Sequence, residues 1–154
     1  MPSLELHPLI DQRALAALYD DPYIARVGHD HRPAKPLQHD AVRYIGAYID
    51  GELVGAFLII ESGFIELDAH VLLNRQALPY SRQLARLCMN QLFSDEKLQR
   101  ISTYVIDGLT EARNFARKLG FKDEGFRRDA CQKGGQLLGL HMLGMTRTDW
   151  KELQ

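Results

Sequence analysis

Residues 100–125, RISTYVIDGLTEARNFARKLGFKDEG, change period in the middle, and that change decides the fold class. From Arg100 to Ile106 the residues alternate, with Ile101, Thr103 and Val105 on one side, which predicts a half-buried strand. Asp107-Gly108 interrupts the run. From Thr110 to Leu119 the apolar residues fall at three-and-four spacing among arginines and lysine, predicting an amphipathic helix. Gly120 follows as its C-cap, since glycine accepts the left-handed conformation that ends helices. A strand feeding a helix that feeds another strand is the unit of an α/β sheet protein.

Working outward gives the same grammar. Upstream, Ser81 to Phe93 carries Leu84, Leu87, Cys88 and Leu92 at helical spacing. Before it, Phe64 to Leu73 alternates. Phe64, Glu66, Asp68 and His70 share one face; Ile65, Leu67, Ala69 and Val71 share the other. Two runs rich in β-branched and aromatic residues, Val42 to Ile49 and Leu53 to Ile60, flank Asp50-Gly51, a two-residue hairpin signal because both turn positions take positive φ. Leu4 to Leu9 reads as a first strand, and Asp11 caps a helix through Tyr19. The polar stretch from His29 to Pro36 reads as a loop. Downstream, Gly125 to Cys131 and Gln136 to Arg147 form a last hairpin around Gln132-Lys133-Gly134-Gly135. The order is β-α-ββ-β-α-β-α-ββ, without repeats or low-complexity tracts.

Length and composition bound the rest. A chain of 154 residues makes one domain, 1–154, able to bury a core without staples. Nineteen basic residues against twenty acidic ones leave a net charge of -1, so no global positive field draws nucleic acid or anionic membrane. Cys88 and Cys131 fit no disulfide or zinc spacing and read as free thiols. No secretory leader and no apolar run of membrane-spanning length is evident, so a cytoplasmic protein is expected. Neither a nucleic-acid nor a membrane partner is expected, and homodimerisation is left open.

The element order, together with Lys118-Leu119-Gly120-Phe121-Lys122-Asp123-Glu124-Gly125, resembles the GNAT superfamily of acetyl-CoA-dependent N-acyltransferases, whose corresponding segment ends K-L-G-F-x-x-E-G. Thr148-Asp149-Trp150 is similar to the close of the branch that acetylates ribosomal-protein N-termini. The resemblance implies an α/β fold with a mixed central sheet of six to seven strands flanked by helices. It implies an N-acetyltransferase that moves an acetyl group from acetyl-CoA to a primary amine, on a small molecule, a protein N-terminus or lysine, by direct attack and without metal. The alternative is a non-catalytic module of the same fold.

The resemblance also implies sites. The family's pyrophosphate loop, Gln/Arg-x-x-Gly-x-Gly/Ala, opens the helix after the fourth strand, where outward N–H groups and the helix dipole bind anions. It maps onto Gln76-Ala77-Leu78-Pro79-Tyr80-Ser81, followed by Arg82. Gln76 matches, whereas Pro79 and Ser81 replace small residues, and Pro79 removes a donor. The backbone of Ala69 to Val71 would meet the pantetheine and the developing oxyanion, and Phe115 would touch the pantetheine. Leu109 stands where many members carry an asparagine, Ala116 where they carry the tyrosine acid, and Tyr104 at one branch's base position. For a general base the fourth strand offers Glu66 first and His70 second; ion pairing is the bland alternative for Glu66.

Other groupings carry less chemistry. His29, His31 and His39 with Asp30 match no standard metal pattern. Arg113, Arg117 and Lys118 read as solvated helix charges, and Arg127-Arg128 as a pair open to an acidic acceptor. Cys131 reads as a half-buried thiol.

Overall fold

A computed structural model describes residues 1–30 and 36–154. Seven strands form one mixed sheet in the order β1-β2-β3-β4-β5-β7-β6. The strands are β1 (Leu4–Pro8), β2 (Val42–Ile49), β3 (Glu52–Glu61), β4 (Glu66–Leu73), β5 (Arg100–Ile106), β6 (Lys122–Lys133) and β7 (Gln136–Thr146). Every neighbouring pair is antiparallel except β4 and β5, which run parallel. Among the described residues five α-helices accompany them: α1 (Gln12–Asp20), α2 (Pro22–Ala25), α3 (Ser81–Phe93), α4 (Thr110–Leu119) and α5 (Arg147–Glu152).

Alternation along the central strands feeds two cores. Ala56, Leu58 and Leu72 face α1 and α2, closing on Leu15, Leu18 and Ile24. Phe57, Ile59, Leu67 and Leu73 face the other way, onto Leu84, Cys88 and Leu92 of α3 and Ala116 and Leu119 of α4. Strands buried on both faces are thus covered by helices, as the β-branched runs required. Asp11 caps α1 by accepting from the Arg13 and Ala14 amides. Asp50 and Gly51 take φ of 50° and 80°, closing the β2–β3 hairpin, and Gly120 ends α4 at φ 111°.

Several boundaries differ from the pattern reading. β4 starts at Glu66, because Phe64 and Ile65 are exposed and the Ile65 carbonyl accepts from the Gln99 amide at 2.7 Å. β7 stops at Thr146, whose hydroxyl accepts from the Asp149 amide while the Asp149 carboxylate accepts from the Thr146 amide; this capping box starts α5. Trp150 then stacks on Phe93 at 5.2 Å and donates its Nε1–H to Asn90 at 2.8 Å. β6 is longer than Gly125 to Cys131, with bulges between Asp123 and Gly125 and between Arg127 and Cys131. Finally, Arg75–Tyr80 is a 3₁₀ helix rather than an open loop, with the Asn74 side chain accepting from the Ala77 amide at 3.2 Å. Among the described residues no helix is long and apolar enough to cross a membrane.

Candidate active site at the parting of β4 and β5

β4 and β5 pair at only three positions, Glu66 with Arg100, Leu67 with Ile101 and Asp68 with Ser102. Beyond them β4 stays on β3 as far as Leu73, while β5 stays on β7 as far as Ile106. The two strands therefore diverge, and from Ala69 onward the edge of β4 that faces β5 has no ladder. In a strand, alternate residues turn N–H and C=O to a given edge, so the gap is bordered by unladdered backbone polar groups.

A cavity of about 460 Å³ occupies this parting and continues to both faces of the sheet. On the α1–α2 side its wall includes Tyr19, Tyr23, Val27 and His29. On the opposite side it includes Ser81, Leu109, Phe115 and Ala116. At the throat stand Ala69, His70 and Val71 of β4 with Thr103, Tyr104 and Val105 of β5. The His70 and Tyr104 rings meet edge to face, centroids 4.6 Å apart. Desolvation pulls the His70 imidazole down from 6.5 to about 4, so it is neutral at pH 7 and keeps a lone pair on the ring.

The remaining carboxylates of the strand face are placed otherwise. Glu66 lies opposite Arg100, with Oε2 3.8 Å from Nε, and lines a separate cleft with Arg43, Gln91 and Lys97. Arg100 also forks onto Glu124 and donates to Ser102 at 3.0 Å. Burial, and then the charge of Glu66, raise the Asp68 carboxyl above its ordinary value.

Of the residues mapped onto the pyrophosphate loop, Leu78 and Ser81 reach the cavity wall. Ser81 donates its hydroxyl to the Leu78 carbonyl at 3.0 Å. Ala77 is fully buried, and its amide is spent on Asn74. Pro79 offers no donor. Gln76, Tyr80 and Arg82 are set around the junction, Tyr80 being packed against the main core. The N-terminus of α3 carries no side-chain cap, and the Ser81 amide there is already bonded to the Leu78 carbonyl. Phe115 packs on the core and lines the cavity.

Other groups acquire structural work that the sequence pattern did not disclose. Asp30 accepts from the Gly134 and Gly135 amides at 2.8 and 2.9 Å, and Lys133 donates to the Arg26 and Gly28 carbonyls at 2.5 and 2.8 Å. The β6–β7 turn is thereby fastened to the segment that walls the cavity. The two turn glycines, at φ 58° and 76°, supply those paired amides, and a Gly-Gly turn was the available signal. His39 accepts from the Ala41 amide at 3.1 Å, and His31 lies outside the described residues. Arg113 and Arg117 are not merely solvated: both bind Asp123 and hold its carboxyl below the usual range. Arg127 and Arg128 are exposed on β6. Both cysteines are free; Cys131 is half-buried, while burial pushes the Cys88 thiol up to about 12 and makes it inert.

A seven-stranded mixed sheet parted between its fourth and fifth strands, with helices on both faces, is the GNAT acyltransferase fold. Solved structures with this fold that match the chain include forms of the spermidine N-acetyltransferase SpeG from Vibrio cholerae. Its complex with CoA and spermine matches with a TM-score of 0.82 at 15% identity, covering 96% of this chain and 98% of that one. A chimera of SpeG and hSSAT gives the same TM-score, identity and coverage. Glutamate-to-glutamine forms of SpeG match at 0.81 and 16%, covering 97% of each chain. No family model matches the chain.

Proposed function

We propose that the chain is an acyl-CoA-dependent N-acyltransferase that moves an acetyl group from acetyl-CoA to a primary amine by direct attack. The parting of β4 and β5 carries this reading, because it opens a through-sheet cavity with backbone donors on one edge and an imidazole at the throat. The SpeG structures, one of them bound to CoA and spermine, support it through the shared fold.

The residues fit the cofactor unevenly. The unladdered backbone of Ala69 to Val71 suits the pantetheine and the acyl carbonyl, with Phe115 against the arm. The uncapped start of α3, with Arg82 exposed beside it, suits the pyrophosphate. The segment Gln76 to Ser81 is a degenerate version of the family loop, since Pro79 and the spent Ala77 and Ser81 amides subtract three donors. When bound, the cofactor supplies a thioester carbonyl and a thiolate leaving group of pKa near 8.5 that departs without an enzyme acid.

Within this reading the base is His70 rather than Glu66. Both occupy the same strand face, but His70 lines the cavity and Glu66 is engaged by Arg100. An aliphatic amine, ordinarily near 10.4, must reach the throat neutral, having left its first proton to solvent. As the C–N bond forms, the nitrogen becomes acidic and the neutral His70 ring takes its second proton. Tyr104 holds that ring edge to face. Backbone N–H groups beside Ala69 and Val71 receive the charge growing on the carbonyl oxygen. The finer likeness to the ribosomal-protein branch rests on Thr148-Asp149-Trp150. Of these, Asp149 completes the capping box with Thr146 and Trp150 stacks on Phe93.

The missing amide donors favour one rival, a module of the same fold that has lost the cofactor. Thermal shift and calorimetry with acetyl-CoA separate the two. Binding at micromolar concentration, with thiol release on adding an amine, is the expected outcome; no shift at millimolar acetyl-CoA leaves the rival standing.

A further inference from the structure

On the α1–α2 side the cavity is apolar in its body and cationic at its mouth. Tyr19, Ile24, Val27, Leu37, Leu58 and Leu72 make the walls. At the mouth the exposed Arg26, part of the cavity wall, lies over the Tyr23 ring at 4.1 Å and donates to its hydroxyl at 2.7 Å; Arg75, which is not part of that wall, comes within 5.1 Å of the same ring. Neither arginine has a carboxylate within ion-pair distance among the described residues. Lys133, outside the cavity wall, has its ammonium bound to the Arg26 and Gly28 carbonyls. The nearby Asp30 has both carboxylate oxygens on the Gly134 and Gly135 amides. Glu111 is the one carboxylate among the described lining residues, and it belongs to α4 on the far side. His29, on the near wall, carries an enclosed Nδ1 with no hydrogen-bond partner among the described residues.

A site for a polycation needs carboxylates, since each ammonium must exchange its water for an anion or an acceptor. This mouth offers the opposite charge. The Arg26 guanidinium, which no described carboxylate pairs, presents a planar fork that suits a carboxylate. Resting on the transferase reading, we propose that the acceptor is an amine on an apolar body that also bears a carboxylate. The amine sits at His70, the body runs along the apolar walls, and the carboxylate meets Arg26 at the mouth. Polyamines are disfavoured, in contrast to the structurally similar SpeG.

The experiment is an acceptor comparison on the whole protein with acetyl-CoA, read as thiol release. Two acids of different reach, 4-(aminomethyl)benzoate and 6-aminohexanoate, are set against benzylamine, hexylamine and spermidine. At least one acid is expected to exceed its uncharged counterpart about tenfold in kcat/KM, and to exceed spermidine by more, the size expected of a charge-assisted hydrogen bond. Arg26→Gln is expected to raise the KM of that acid about tenfold and to bring the acid-to-neutral ratio towards one. Spermidine turning over as well as either acid, or a ratio that survives Arg26→Gln, overturns the inference while leaving the transferase reading intact. Absence of acetyl-CoA binding together with absence of turnover on every amine overturns the transferase reading, and this inference with it.

Discussion

The first three residues of β4 that face β5 and the next three do opposite things. Glu66 to Asp68 are laddered to Arg100 to Ser102, and the polar side chains there close into an ionic group, Glu66 with Arg100 and Arg100 with Glu124. Ala69 to Val71 have left the ladder, and the face that held a carboxylate now holds a desolvated imidazole against Tyr104. Both halves lie on the same two strands with the same alternation. Where backbone polar groups are mutually satisfied, side chains are free to act as clamps; where the ladder opens, backbone and side chain together face a cavity. The clamp ties β4, β5 and β6 just below the throat.

The sharpest way to break this contrast is to neutralise one group in each half. His70→Gln is expected to lower kcat by about 100-fold or more, the usual worth of a positioned proton acceptor. Glu66→Gln is expected to leave kcat within about twofold, because an exposed pair 3.8 Å apart contributes little. Steady-state kinetics on both variants decide it, and the reverse ranking would return the base to Glu66.

The second effect is smaller and concerns stability. His70 titrates near 4 when folded and near 6.5 when unfolded, so on acidification the unfolded chain takes up a proton that the folded one refuses. Stability is full above about pH 6.5, declines as pH falls from there to about 4, and loses at most about 3 kcal/mol to this group. Denaturant midpoints measured across that window should show the decline, and the His70→Gln variant should lack it. Equal slopes in the two proteins would mean that the ring is solvated.

Local signals carried much of this architecture. The ranges Ser81–Phe93, Arg100–Ile106 and Thr110–Leu119 coincide with the pattern reading, because periodicity and the Gly120 cap act within a few residues. Alternation also places Glu66, Asp68 and His70 on one face. What it cannot give is where β4 leaves β5, since that depends on β3 and β7 each holding one of them, a contest between distant pairings. Hence Glu66 and His70 are equivalent as sequence and unlike as structure. Asp30 is a similar case: in a His-rich polar loop it invites a metal reading, and its partners are the amides of a turn more than a hundred residues away. The tightening of Arg75 to Tyr80 into a 3₁₀ helix was not legible, because it follows from the Asn74 cap.

The smallest of these effects tests whether the clamp sets the parting. Arg100 donates to Ser102 and Glu124 and lies beside Glu66, with its side chain about 28% exposed and the two acids nearer 40%. Such partial exposure screens the charges, so Arg100→Met, which keeps the apolar stem, is expected to cost about 1 to 2 kcal/mol in denaturant unfolding rather than the larger loss of a buried pair. The loss should be accompanied by a rise in the KM for acetyl-CoA, because Glu66 and Glu124, left without their shared cation, repel each other across the base of the parting. Hydrogen exchange of the Ala69 to Val71 amides reads the same event directly. If those amides and the KM stay unchanged while stability falls, the strands are held apart by β3 and β7 alone, and the ionic group contributes to stability without shaping the throat.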